Sequence, residues 1–219
     1  MALSKLTYNS LNVTAAASKG IGFDSDPDAL QADYSAGSMT FIKKLTASSD
    51  ATLSFVNGSA DVVLDSTYKE YMFTFNNIHP QTNVKSLMVN FSDDTSSHSY
   101  DLTKTTTEFY AYHLESGTGQ NLLYLTGADL AQSTAAQEII REIGNGNDDS
   151  GSGYMHLFNP SSTTYVKHFM ARTNVTQPSL TEDVYVAGYV NTTAAVTAVQ
   201  FSMNSGNIDA GDICLYGIS

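Results

Sequence analysis

The sequence predicts an all-β fold, an antiparallel β-sandwich preceded by an extended N-terminal arm, and three observations carry that prediction. Turn-forming clusters of Ser, Asn, Asp and Gly recur about every 8–14 residues, the spacing of short strands in a sandwich or barrel. The runs between them are rich in Thr, Tyr and Phe, and their apolar residues fall on every second position. No stretch keeps a helical apolar period for more than about a turn.

Residues 1–37 form the expected arm. Leu3, Leu6, Tyr8, Leu11, Val13, Ile21 and Phe23 are scattered among Ser, Thr, Asn and Ala, too sparse to bury against one another, and DSDPDALQADYSAGS breaks any pattern. These residues are the candidate anchor, expected to dock on a partner. Residues 38–219 form the sandwich. Its first strands are expected in MTFIKKL (39–45), TLSFV (52–56) and ADVVLD (60–65). YKEYMFTFNNI follows, with Tyr71, Phe73 and Phe75 on one face, and then KSLMVNFS, with Leu87, Val89 and Phe91 on one face. TTTEFYAYHL and NLLYLTG are the next two runs.

The segment 130–143 is ambiguous. Thr134 with Gln137 three residues on resembles a capping box and Gly144 suits a helix stop, yet Ile139, Ile140 and Ile143 give barely one turn of apolar face. A strand over 137–143 is expected, with a short helix as the alternative. After the NGNDDSGSG loop, GYMHLFNPSSTTYVKHFMAR (153–172) reads as a hairpin joined by the connection NPSSTT, and DVYVAGYV, AVTAVQFSM and DICLYGI close the domain. About ten strands suffice for two sheets. Both faces of the hairpin are apolar: Met155 and Leu157 on one, Tyr154 and Phe158 on the other. A half-solvated sheet would alternate cleanly. The second face is therefore expected to be covered by a neighbouring subunit, with Tyr154, His156, Phe158, Tyr165, Lys167 and Phe169 as the candidate interface.

Composition narrows the function. With 42% hydrophobic residues the 219-residue chain can fill one core. Acidic residues number 22 against 10 basic, a formal charge of −12, and the longest basic run is Lys43-Lys44. Nucleic acid is excluded as a partner, because phosphate binding needs clustered Lys and Arg. The single cysteine, Cys214, excludes an intrachain disulfide framework and a thiolate metal cage. MALSKLTYNSLNVTAAASKG lacks the apolar centre of a secretory signal, and no apolar run approaches the roughly 20 residues of a membrane helix. A protein made in the cytoplasm, or released within a particle by lysis, is expected.

No catalytic, cofactor or metal site is expected. His79, His98, His113, His156 and His168 show no metal-ligand spacing. Asp24, Asp26 and Asp28 alternate as in a calcium loop but lack its glycine and terminal Glu, so solvated loop charge is the reading, as it is for Asp93-Asp94 and Asp148-Asp149. No G-x-S-x-G elbow or phosphate-cradling P-loop occurs. Cys214 lies in a closing strand and reads as packing. The tyrosines, 13 in all, could stack on sugars at an unlocalised site.

The series STYKEYMFTFNNIHPQT, TKTTTEFYAYH, TGADLAQST, LFNPSSTTYVKHF and FSMNSGNIDAGDICLYGI resembles a domain of tailed phages of marine bacteria, especially cyanophages, found in their tail-fibre and other virion-surface proteins. The resemblance spans roughly residues 38–219 and implies a jelly-roll-like domain in a virion structural protein, without a catalytic motif. The chain has no room for a long fibre shaft. The implied roles are a short tail fibre or tail-attached receptor-binding adaptor or, alternatively, a capsid decoration or head-fibre protein. A carbohydrate-binding or depolymerase domain is a third reading. The implied partners are other virion proteins through the arm, further copies in a homotrimer, and host surface polysaccharide.

Overall fold

The computed structural model describes residues 22–23, 30–31 and 38–219. In the first compact unit, Met1–Gly37, β1 (Gly22–Phe23) pairs antiparallel with β2 (Leu30–Gln31), so that Phe23 lies opposite Leu30. The other proposed anchor residues, Leu3, Leu6, Tyr8, Leu11, Val13 and Ile21, lie outside the described residues.

The second unit, Ser38–Ser219, begins with β3 (Met39–Thr46), β4 (Thr52–Val56), β5 (Glu70–Pro80) and β6 (Lys85–Ser92). There follow β7 (Lys104–Leu114), β8 (Gln120–Tyr124), β9 (Gln137–Ile143) and β10 (Gly151–Phe158). The chain ends with β11 (Lys167–Gln177), β12 (Leu180–Val190), β13 (Ala198–Met203) and β14 (Ile208–Ile218). An 8-stranded sheet has the order β3-β14-β5-β10-β11-β12-β7-β8, and a 4-stranded sheet has the order β4-β13-β6-β9. All ladders are antiparallel, as short connections require.

The jelly-roll expectation is borne out by this order. Setting aside two hairpins, β7–β8 and β11–β12, the remaining strands wind as first–eighth–third–sixth in one sheet and second–seventh–fourth–fifth in the other. Both hairpins add to the same side of the larger sheet, beyond β10, and there they create an outer face wider than the jelly roll alone would offer.

The two sheets enclose a core of aromatic side chains supplied by alternate residues. Phe55, Phe73, Phe75 and Phe201 meet edge to face, with the Phe55–Phe73 and Phe73–Phe201 ring centroids 5.3 Å apart. The 137–143 segment is a strand as expected. Its helical look has a local cause: Ile139 and Ile140 are both fully buried because the β6–β9 ladder shifts register around Leu87. The expected strand over 60–65 is corrected. Gly58, Ala60 and Asp61 have positive φ, and the turn they form hangs Val62 and Leu64 into the core, with Leu64 N–H donating to Asn57 Oδ1 at 2.9 Å.

Candidate functional site

The hairpin β10–β11 decides what the outer face carries. Asn159 sits at φ 47° and starts the turn, whose Ser162 N–H donates to the Asn159 carbonyl at 3.0 Å. The connection runs over residues 159–166, longer than NPSSTT, and the ladder pairs Leu157 with Phe169, His156 with Met170 and Tyr154 with Arg172. An odd change of register turns every side chain of one strand over. The expectation for Lys167 and Phe169 is therefore corrected. Phe169 is fully buried, 5.3 Å from Phe91, and Lys167 is buried with its Nζ donating to the carbonyls of Tyr165 (2.9 Å) and Thr192 (3.1 Å). Tyr165 belongs to the connection and is 71% exposed. His168, Met170 and Arg172 take the outward places beside Tyr154, His156 and Phe158, which stand outward as read from sequence.

Two cross-strand rows build a groove on this face. Tyr154, Arg172, Tyr185, Phe109 and Tyr124 are successive partners across β10, β11, β12, β7 and β8. Beside them run His156, Met170, Ala187 and Thr107. Large side chains in the first row and the small Ala187 and Thr107 in the second leave a groove of about 490 Å³, closed at its far side by Phe158 and Glu70. Phe109 and Tyr185 stack with centroids 4.8 Å apart and planes 4° from parallel. The Arg172 guanidinium lies 4.9 Å from the Tyr185 centroid.

The polar groups of the groove are already paired. Arg172 Nε and Nη2 donate to the two Asp183 oxygens at 3.1 and 2.9 Å, and Tyr185 Oη donates to Asp183 Oδ2 at 3.2 Å. These hydrogen bonds hold the guanidinium more firmly protonated than usual. Across the groove His156 Nδ1 and Glu70 Oε1 are hydrogen-bonded, while the His156 ring stacks on Phe158 at 6.0 Å.

A second constellation, unforeseen from sequence, lies on the inner face between β7, β12 and β9. Arg141 Nη1 donates to both Glu182 oxygens (2.9 and 3.1 Å) and Nη2 to Glu142 (2.7 Å), and the guanidinium covers the Tyr110 ring at 4.6 Å. Glu108 is fully buried: Gln137 Nε2 donates to its Oε2 at 3.0 Å, and its Oε1 meets no donor among the described residues. Burial, reinforced by the neighbouring Glu138 carboxylate, pushes Glu108 up to about 9. Burial also pushes Glu138 upward, but Arg141 Nε stands 3.8 Å from Glu138, which places the shared proton on Glu108. A protonated Glu108 can donate to the neighbouring Glu138 carboxylate. Glu108 does not reach solvent, so the cluster acts as a brace that sets β9 on the larger sheet. Alternation in TTTEFYAYHL puts Glu108 in phase with Thr106 and Tyr110, the one local hint of this arrangement.

Elsewhere the titratable groups serve the loops. Asp94 accepts from Ser99 N–H at 2.8 Å, Asp149 accepts from Gly146 N–H at 3.0 Å, and His79 Nε2 meets the Gly146 carbonyl at 3.1 Å. Asp24, Asp26 and Asp28 lie outside the described residues. Among the described residues no group of three or more His, Cys, Asp and Glu side chains is placed to hold a metal ion, and no helix is long and apolar enough to cross a membrane. Cys214 is buried. Comparison with protein-family models, curated proteins and solved structures finds no match, so the groove and the buried cluster stand on their own chemistry.

Proposed function

We propose that this is a non-enzymatic structural protein of a phage particle, a short tail fibre or tail-attached adaptor whose jelly roll is a receptor-binding head and whose N-terminal arm anchors it. The observation that supports this reading is the aromatic groove on the outer face, built on strands added to the jelly roll. Contiguous, partly exposed apolar side chains mark interaction sites, and here Tyr154 and Met170 stand 40% and 54% exposed beside the ordered Arg172–Asp183 pair. The arm is the second part of the reading: its apolar residues are too sparse for a core and suit docking on another virion protein. A homotrimer is favoured by the edge strand β8, where Leu122 and Tyr124 are 65% and 59% exposed; the threefold number comes from the family resemblance.

Imaging of gold-labelled antibody on intact particles tests the proposal. Label at the tail tip is the expected result. Label spread over the capsid would replace the tail role with that of a decoration or head-fibre protein. Particles without label, or turnover of host polysaccharide by the purified protein, would overturn the reading.

A further inference from the structure

We infer that the outer-face groove binds a short, uncharged oligosaccharide, its sugar rings packing against the exposed parts of Phe109 and Tyr154. A pyranose ring has one apolar face of C–H bonds and a rim of hydroxyls, and the groove matches that division. Its wall supplies flat rings, of which Phe109 is 39% and Tyr154 40% exposed. Its rim supplies planar hydrogen-bonding groups held in place in advance: the Arg172–Asp183 fork, the Tyr185 hydroxyl and the Glu70–His156 pair. Such preorganisation spares the ordering cost that weakens sugar binding to loose side chains.

The pairing of charges selects the ligand. Asp183 already neutralises Arg172, and Glu70 already has His156, so no free cation awaits a carboxylated or sulfated sugar. The chain's formal charge of −12 adds a long-range penalty for anions. Neutral hydroxyls can join the paired groups without breaking them.

Size and chemistry also favour a glycan over a second copy of the chain. A volume of about 490 Å³ falls within the range of small-ligand sites. A stable protein interface needs roughly 800 Å² per partner and a core depleted of charge. A copy seated here would instead bury the Arg172–Asp183 ion pair and the Glu70–His156 hydrogen bond, whose desolvation offsets much of what the rings contribute.

This inference rests on the receptor-binding reading for its biological setting, and the two can fail separately. Saturation-transfer NMR with the full chain would use three neutral trisaccharides, built from glucose, from galactose and from mannose, with trigalacturonic acid as the acidic probe. The expected result is millimolar or tighter binding of at least one neutral trisaccharide and none of the acid. Phe109→Ala and Tyr154→Ala should each weaken it about tenfold, or about 1.4 kcal/mol, while both variants stay folded and unfold cooperatively. Absence of binding by all three neutral probes overturns the inference, as does a preference for the acid or full binding by both variants. Tail labelling without sugar binding would refute the ligand alone; sugar binding without particle labelling would refute the virion reading alone.

Discussion

At neutral pH the buried carboxyl of Glu108 holds a proton that the unfolded chain would release, and Glu108→Gln removes that requirement while keeping the shape. In the variant the amide oxygen still accepts from Gln137 Nε2, which lies 3.0 Å from Oε2 in the native protein, and the amide N–H takes over donation to Glu138. The folded value of about 9 stands above the ordinary value of 4.5. Between those two limits the folded state binds the extra proton. The stability that Glu108 contributes is therefore full below the lower value and is lost as pH rises through the upper one. The slope is about 1.4 kcal/mol per pH unit, so wild type should lose about 2.7 kcal/mol relative to the variant between pH 6 and pH 8. For a chain of this size that corresponds to a change of roughly 5–10 °C in the difference between their melting temperatures. Urea unfolding of both proteins, followed by far-UV circular dichroism at pH 6, 7 and 8, measures it directly, and effects of titrating groups remote from Glu108 cancel in the difference. Parallel pH profiles, or a variant less stable than wild type at pH 8, would refute the assignment of the proton to Glu108.

Three further outcomes follow from the same packing. Phe169→Ala should cost about 3–5 kcal/mol in denaturant unfolding, because its ring fills the core against Phe91, whereas Phe158→Lys on the outer face should change stability by less than about 1 kcal/mol. Arg141→Met should cost about 3–5 kcal/mol at neutral pH, since it leaves the buried Glu182 carboxylate without its partner; the loss should shrink as acid protonates Glu182, whose titration burial already moves upward. Deleting residues 1–37 should leave Ser38–Ser219 folded with an unchanged melting temperature, because that segment is a compact unit by itself, while incorporation into particles, scored by immunoblot, is lost.

Period two in YMFTF, LMVNF and VYVAGYV is a local property, and with the turn residues between them it was enough to specify an antiparallel all-β domain from sequence. It also set Tyr154, His156 and Phe158 on the face opposite to Met155 and Leu157, whereas the strand at Gln137–Ile143 was expected, against a short helix, only because Ile139, Ile140 and Ile143 give barely one turn of apolar face. What alternation cannot state is which face of one strand matches which face of the next. That depends on register, and the pairing of Leu157 with Phe169 and of His156 with Met170 turned Lys167 and Phe169 inward and His168, Met170 and Arg172 outward. The groove and the Glu108 cluster are non-local in the same sense. Phe109 and Tyr185 are far apart in the chain and meet because β7 crosses over to lie beside β12; Glu108 is buried because β9, from the other sheet, closes over it. Sequence alone fixes which residues share a strand face. Only the tertiary pairing decides what that face meets, because the free energy of burial belongs to the contact and not to either strand alone.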